Sequence, residues 1–184
     1  IDDYQTMPET RKLIVYIACS LDGYIAGPKD DLSFLALVEK EGEDYGYNAF
    51  IQTVDTVVMG RRTYDWVINQ VDVFPHADKQ TFIITHRPQT SAGDLQFYDG
   101  SLKVLATELK SQAGKHIFCD GGAMVVNELL KEDLIDEFIL SVVPVLLGDG
   151  IPLFQKQSGI KNLELASVKQ FETGLVQMHY IRKR

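Results

Sequence analysis

Apolar residues recur along this chain in two rhythms, and their alternation sets out the architecture. Lys12 to Ser20 is apolar at odd and even positions alike, as expected of a central strand covered on both faces. Val57-Val58-Met59 is a short β-branched run that breaks at Gly60 and resumes with Tyr64, Val67 and Ile68 at helical spacing, which predicts strand, tight turn and helix. Thr81 to Thr85 is another short strand, Phe97 and Tyr98 begin one more, and Leu102 to Ala113 predicts a helix. Lys115 to Cys119 repeats the strand pattern and runs through Asp120-Gly121-Gly122 into an amphipathic helix carrying Val125, Val126, Leu129 and Leu130.

Asp136 to Leu147 is the longest strand candidate, closed by Gly148-Asp149-Gly150. Leu163 to Phe171 and Leu175 to Arg182, joined across Glu172-Thr173-Gly174, predict a terminal hairpin. In its last strand Val176, Met178 and Tyr180 alternate with Gln177 and His179, so the second face is expected to be wetter. Between the first strand and Val57 lie a glycine-punctuated loop, Leu21 to Pro28, expected to fold over something, and a helical pattern from Leu32 to Val54. That pattern carries Leu32, Leu35 and Val38 on one stripe and, beyond a break at Glu41-Gly42-Glu43, Tyr47, Phe50, Ile51 and Val54 on another. Strands alternating with helices and followed by a hairpin predict an α/β fold, a mostly parallel sheet with an antiparallel edge.

At 184 residues the chain is expected to form one domain, burying roughly 70% of its unfolded surface. Residues 1–11 are polar and are assigned to a tail outside the fold, leaving residues 12–184 as the domain. The 18 Lys+Arg against 26 Asp+Glu give a formal charge of −8, which argues against a nucleic-acid partner; any phosphate site must be local. Cys19 and Cys119 each end an apolar strand and are read as small buried hydrophobes. With no leader pattern and no long apolar run, a cytoplasmic protein without membrane contact is expected.

Two glycine turns carry the candidate chemistry. A helix N-terminus presents unpaired N–H groups and the positive end of the macrodipole, so Gly60, with Arg61 and Arg62 behind it, suits a phosphate. The Gly121-Gly122 turn could grip the other end of a pyrophosphate; either turn alone could be a simple connection. Neither is the G-x-G-x-x-G fingerprint, so a Rossmann domain is not expected. Thr85, His86 and Arg87, past a strand's carboxyl end, suit a ribose phosphate or form a solvated turn closed by Pro88. Asp44, three residues before Tyr47, is expected on the buried face of the second helix, either capping it or hydrogen-bonding a substrate. Cys and His show no metal-ligand spacing, and His76, His116 and His179 stand isolated.

The ordered set Ser20-Leu21-Asp22-Gly23, Val58-Met59-Gly60-Arg61-Arg62-Thr63-Tyr64, Ile83 to Pro88, Asp120-Gly121-Gly122-Ala123 and Leu147-Gly148-Asp149-Gly150 resembles the dihydrofolate reductase-like family. Within it the chain looks most like stand-alone relatives of the reductase (RibD C-terminal) domain of the riboflavin-biosynthesis deaminase-reductase, over about residues 12–184. The resemblance implies a three-layer α/β sandwich and an NADPH-dependent reductase of a small heterocycle, of the 5-amino-6-(5-phosphoribosylamino)uracil reductase type. Dihydrofolate reduction and nucleotide binding without chemistry are the alternatives.

On this model Ala18 meets the nicotinamide through its backbone. Gly60, Arg61, Arg62 and Thr63 take the pyrophosphate and 2′-phosphate side, Thr85, His86 and Arg87 hold the adenosine end, and Gly121, Gly122, Ala123 and Met124 approach the pyrophosphate. The pterin-binding carboxylate of bacterial dihydrofolate reductases falls at Asp44, the candidate proton donor, with Asp22 and Tyr47 on the substrate side. No metal is expected, since Cys and His show no metal-ligand spacing, and a small-molecule substrate and a homodimer are the partners considered. The loop after the first strand, Leu21-Asp22-Gly23-Tyr24-Ile25-Ala26, has no Trp, which favours the riboflavin-type reductase over a folate enzyme.

Overall fold

Strand β1, Leu13–Ser20, is the spine of the molecule. In the computed structural model, which describes residues 10–87, 89–157 and 159–184, both of its faces are covered. Leu13 and Val15 pack into the larger core cluster, and Ile14 and Tyr16 face the opposite layer. Strands β2 (Tyr24–Ala26), β3 (Val54–Gly60), β4 (Gln80–Ile84), β5 (Leu95–Tyr98), β6 (His116–Gly121), β7 (Glu137–Val143), β8 (Ile151–Pro152), β9 (Leu163–Gln170) and β10 (Val176–Arg182) follow. Helices α1 (Tyr47–Ile51), α2 (Arg61–Ile68), α3 (Leu102–Ser111) and α4 (Ala123–Lys131) lie between them.

Eight strands form one sheet in the order β5-β4-β3-β6-β1-β7-β10-β9, with β2 and β8 pairing separately. From β5 to β7 every pairing is parallel, and β10 and β9 run antiparallel at the edge. The expected mostly parallel sheet with an antiparallel C-terminal hairpin is therefore the observed one. Apolar stripes of α3 (Leu102, Leu105, Ala106, Leu109) and α4 (Val125, Val126, Leu129, Leu130) cover one face. On the other face α1 packs Phe50 against Phe118 at 5.1 Å between ring centroids, and Tyr64 of α2 meets Phe74 and Phe97. Phe118 is 1% exposed at the centre of this aromatic layer, so truncating it to alanine removes about 3–5 kcal/mol. No helix among the described residues is long and apolar enough to cross a membrane.

Four expectations change. The helical pattern from Leu32 to Val54 resolves into a 3-10 helix, Ser33–Val38, and the single short turn of α1, because Gly42, Tyr45 and Gly46 all take positive φ and break any continuous helix. Arg11, assigned to the tail, is buried: it donates to the carbonyls of Lys115 and Leu109 and to the side chains of Asp55 and Thr56. Thr10 is exposed, and the rest of the assigned tail, residues 1–9, lies outside the described residues. The long strand from Asp136 shrinks to seven residues as β7, since Pro144 has no N–H for the ladder, and β1 and β9 are longer. Finally, the polar face of β10 is not the wetter one: Gln177 is 8% exposed and donates to Tyr16 Oη, Tyr45 O and Ser141 Oγ.

Candidate active site

The sheet opens where its order reverses in the chain. β1 pairs with β6 only from Leu13 to Val15, whereas it follows β7 from Ile14 to Ser20. Such a switch point at the carboxyl ends of parallel strands is where α/β sheets bind ligands. Gly60 ends β3 and Gly121 ends β6, so the two glycine turns stand side by side on neighbouring strands. A Cβ added at Gly60 would lie 3.3 Å from Val125 Cγ2 and 3.4 Å from Gly122 N, and one at Gly122 would lie 3.3 Å from Thr63 Oγ1. The peptide between Gly121 and Gly122 is cis.

Capping separates these turns from the remaining long helix. α3 is capped conventionally, Ser101 Oγ accepting from Val104 N at 3.3 Å. α2 and α4 both start behind a glycine and have no side-chain cap. Among the described residues no side chain caps their first-turn N–H groups, and the glycines let the two helix starts approach closely, an arrangement that suits a pyrophosphate. Ala123 is buried at this seam and Met124 is 73% exposed.

The charged groups around the seam already have partners. Arg61 donates to Asp65 at 2.8 Å and its guanidinium sits 5.4 Å from the Phe97 ring centroid. Arg62 donates to Asp30 Oδ2 at 2.5 Å, tying α2 to the loop after β2. One strand further out, Thr85 is buried and its hydroxyl accepts from Arg87 N at 3.1 Å, leaving His86 and Arg87 exposed on the turn. Pro88 lies outside the described residues. Thus Thr85, Gly60, Gly121 and the end of β1 follow one another along a single sheet edge.

On the α1 face, over β1 and β7, lies an open cavity of about 590 Å³. Tyr16, Ala18 and Ser141 form its floor, Leu35, Val38 and Leu175 its apolar wall, and the segment from Glu39 to Tyr45 its rim. Gln177 underpins the floor through Tyr16 and Ser141. Burial raises the Tyr16 phenol, partly offset by the Gln177 hydrogen bond, so Tyr16 stays protonated at neutral pH.

The three residues expected on the substrate side separate. Asp44 lines the cavity but is exposed and precedes α1 rather than lying on its buried face. It accepts from Gly46 N at 2.9 Å and Asn48 N at 3.0 Å, and these amides hold its carboxyl below the usual range. Tyr47 is instead part of the aromatic layer, 5.8 Å from Tyr16, with its phenol pushed up to about 12 by burial and by the Asp120 charge. Asp22 clasps two loops, accepting from Ser20 Oγ at 2.6 Å, Leu147 N at 3.1 Å and Gly148 N at 2.8 Å.

Sequence reading missed the polar floor, Ser141 and Gln177, and the pairing of His76 with Asp120, Nε2 to Oδ2 at 2.9 Å. His76 is 2% exposed and its Nδ1 has no hydrogen-bond partner among the described residues. No local signal joins residues 44 positions apart; the position of Asp120 immediately before the Gly-Gly turn was the only available pointer. His116 and His179, also isolated in sequence, bond Lys12 N and Glu137 respectively.

Comparisons with known proteins identify the family and the fold. The uncharacterized protein YwjB of Bacillus subtilis is 45% identical over 174 residues, 94% of this chain and 98% of that protein. A Shewanella sp. PV-4 protein named for riboflavin biosynthesis has a solved structure that superposes with a TM-score of 0.85 at 32% identity, covering 94% of this chain and 99% of its own. Two distant structures share the fold. The Thermotoga maritima diaminohydroxyphosphoribosylaminopyrimidine deaminase/5-amino-6-(5-phosphoribosylamino)uracil reductase has a TM-score of 0.70 at 14% identity, covering 95% of this chain and 57% of that one. Enterococcus faecalis dihydrofolate reductase, complexed with NADP(H), has a TM-score of 0.63 at 15% identity, covering 94% and 97%. With the family model of the RibD C-terminal domain matching residues 11–177, the chain belongs to the RibD C-terminal domain family.

Proposed function

We propose that this protein is an NADPH-dependent reductase of a C=N or C=O bond in a small heterocycle, with the reaction type of 5-amino-6-(5-phosphoribosylamino)uracil reductase. The observation that carries this reading is the pair of uncapped helix starts, Gly60 and Gly122, facing each other at the ends of β3 and β6, next to β1, whose Ala18 lies on the cavity floor. Gly60, Thr63, Gly121, Gly122 and Ala123 would hold the pyrophosphate, Arg61 and Arg62 the 2′-phosphate side, Thr85, His86 and Arg87 the adenosine end, and the Ala18 backbone the nicotinamide. NADPH, when bound, supplies the hydride.

The chain's own contribution is placement and a proton route. The apolar wall of Leu35, Val38 and Leu175 packs a flat ring against the floor. Asp44, kept ionised by the amides of Gly46 and Asn48, accepts a hydrogen bond from a ring N–H and relays the proton for the reduced atom from water at the open rim. Asp22, already holding three donors, serves the loop clasp.

The test is NADPH oxidation with 5-amino-6-(5-phosphoribosylamino)uracil, its unphosphorylated riboside and dihydrofolate, alongside calorimetric titration with NADPH and NADH. Oxidation with a pyrimidine, and NADPH binding about tenfold or more tighter than NADH from charge-assisted contacts to the extra phosphate, are expected. NADPH binding without oxidation of any compound would mark a nucleotide-binding protein, and equal affinities would remove the 2′-phosphate assignment.

A further inference from the structure

The cavity rim carries four carboxylates, Glu39, Glu41, Glu43 and Asp44, and one cation, Lys40. Lys40 is already partnered: its ammonium is bonded to Glu172 on the turn between β9 and β10, which brings a further carboxylate to the rim and raises the lysine's affinity for the proton. The backbone donors of the rim are also taken. Tyr45 N gives its hydrogen to Glu43 Oε1 at 2.7 Å, and Gly46 N and Asn48 N give theirs to Asp44. The loop's own carboxylates therefore occupy the N–H groups around the start of α1 that an incoming anion would need, and they leave the rim net negative.

On the cofactor side Arg61 and Arg62 pair with Asp65 and Asp30, are assigned above to the cofactor's 2′-phosphate, and do not line the cavity. Below the rim the cavity is neutral. Its polar floor atoms, Tyr16 Oη and Ser141 Oγ, belong to the Gln177 network, and its wall is aliphatic.

We propose that the substrate of this site is a flat nitrogen heterocycle that is neutral or cationic and bears neither a phosphate nor a carboxylate arm. This rests on the reductase reading above and narrows it: the reaction type of the phosphoribosyl-pyrimidine reductases is kept, and the phosphate is not. The same charge argument excludes a substrate with a dicarboxylate tail. A dianion within about a Debye length of several rim carboxylates is repelled enough to cost on the order of tenfold in affinity at moderate salt, and the penalty fades as salt rises.

The experiment uses the full chain with two matched pairs of probes: 5-amino-6-ribosylaminouracil with and without its 5′-phosphate, and dihydropterin against dihydrofolate. Each is titrated calorimetrically in the presence of NADP+ and assayed for NADPH oxidation, at low and high salt. The uncharged member of a pair is expected to bind about tenfold or more tighter, with the gap narrowing at high salt and in the triple variant Glu39→Gln, Glu41→Gln, Glu43→Gln. Equal or tighter binding of the phosphate or glutamate-bearing member overturns the proposal while leaving the reductase reading in place. Preference for the uncharged member without any oxidation of NADPH supports the charge assignment and sinks the reductase reading. Binding of none of the four overturns both.

Discussion

Replacing Gln177 with leucine tests whether the cavity floor is held from beneath. The carboxamide is 8% exposed and its nitrogen lies 3.0 Å from Tyr45 O, 3.1 Å from Ser141 Oγ and 3.2 Å from Tyr16 Oη. An NH2 group has two hydrogens, so at most two of these contacts are linear and one is shared. Leucine fills a similar volume and supplies neither. Tyr45 O keeps a partner, because the Tyr16 hydroxyl donates to it at 2.8 Å, and the Ser141 hydroxyl can rotate. The expected loss is thus about two ordinary hydrogen bonds, roughly 2 kcal/mol. With a urea m value of about 2–3 kcal/mol/M, the unfolding midpoint should fall by roughly 0.7–1 M.

Since Tyr16 and Ser141 face the cavity and the glycine turns lie elsewhere, KM for the substrate should rise while NADPH affinity holds. A companion variant, Gln177→Glu, sharpens the test. Its carboxylate would meet acceptor oxygens in a buried place, which raises its folded pKa above the unfolded value of about 4.3. Any stability the protonated form contributes is then complete below about pH 4.3 and lost as pH rises through the folded pKa, so this variant should be weakest relative to the parent at neutral pH. A midpoint shift below about 0.2 M for Gln177→Leu would mean that the network contributes almost nothing, and the account of the floor would fail.

Gly60→Val should push the two glycine turns apart, because its Cβ already stands 3.3 Å from Val125 and its two methyls have no space. About 1–3 kcal/mol of stability and at least tenfold in NADPH affinity should be lost, with Gly60→Ala between it and the parent in calorimetric titration. Asp44→Asn keeps one acceptor for the α1 start, so circular dichroism and NADPH affinity should hardly move while turnover drops by about 10²–10⁴; near-parental turnover with chemistry rate-limiting would leave Asp44 a structural cap. Cys19 and Cys119 are free and buried, and burial pushes the Cys119 thiol up to about 12, so neither should react with a thiol reagent until the protein unfolds. Their strands are neighbours, but Cys119 pairs in register with Val15, and Cys19 lies four residues beyond, about 13 Å along the strand; a recovered native disulfide would contradict that register.

What the sequence determined by itself was everything written in local periodicity and in glycine. The two-sided apolar run of β1, the strand-glycine-helix punctuation at Gly60 and Gly121, and the closing hairpin each identify an element within a dozen residues, and parallel strands with helices between them admit few topologies. The glycine turns were legible for the same reason, since a backbone that must approach a neighbour closely excludes a Cβ wherever it stands. Tertiary structure alone decided what the polar residues do. Gln177 reads as solvent-facing by alternation yet is buried, because the segment around Tyr45 folds over its face of the sheet. Arg11 reads as tail yet spans Leu109, Lys115 and Asp55, and His76 finds Asp120 across 44 residues. Asp44 lost its helical face to three positive-φ residues, whose turn also consumed the amides an anionic substrate would have used. A side chain's environment is set by whichever distant segment is packed against it, and a hydrogen bond made at long range leaves no period in the sequence.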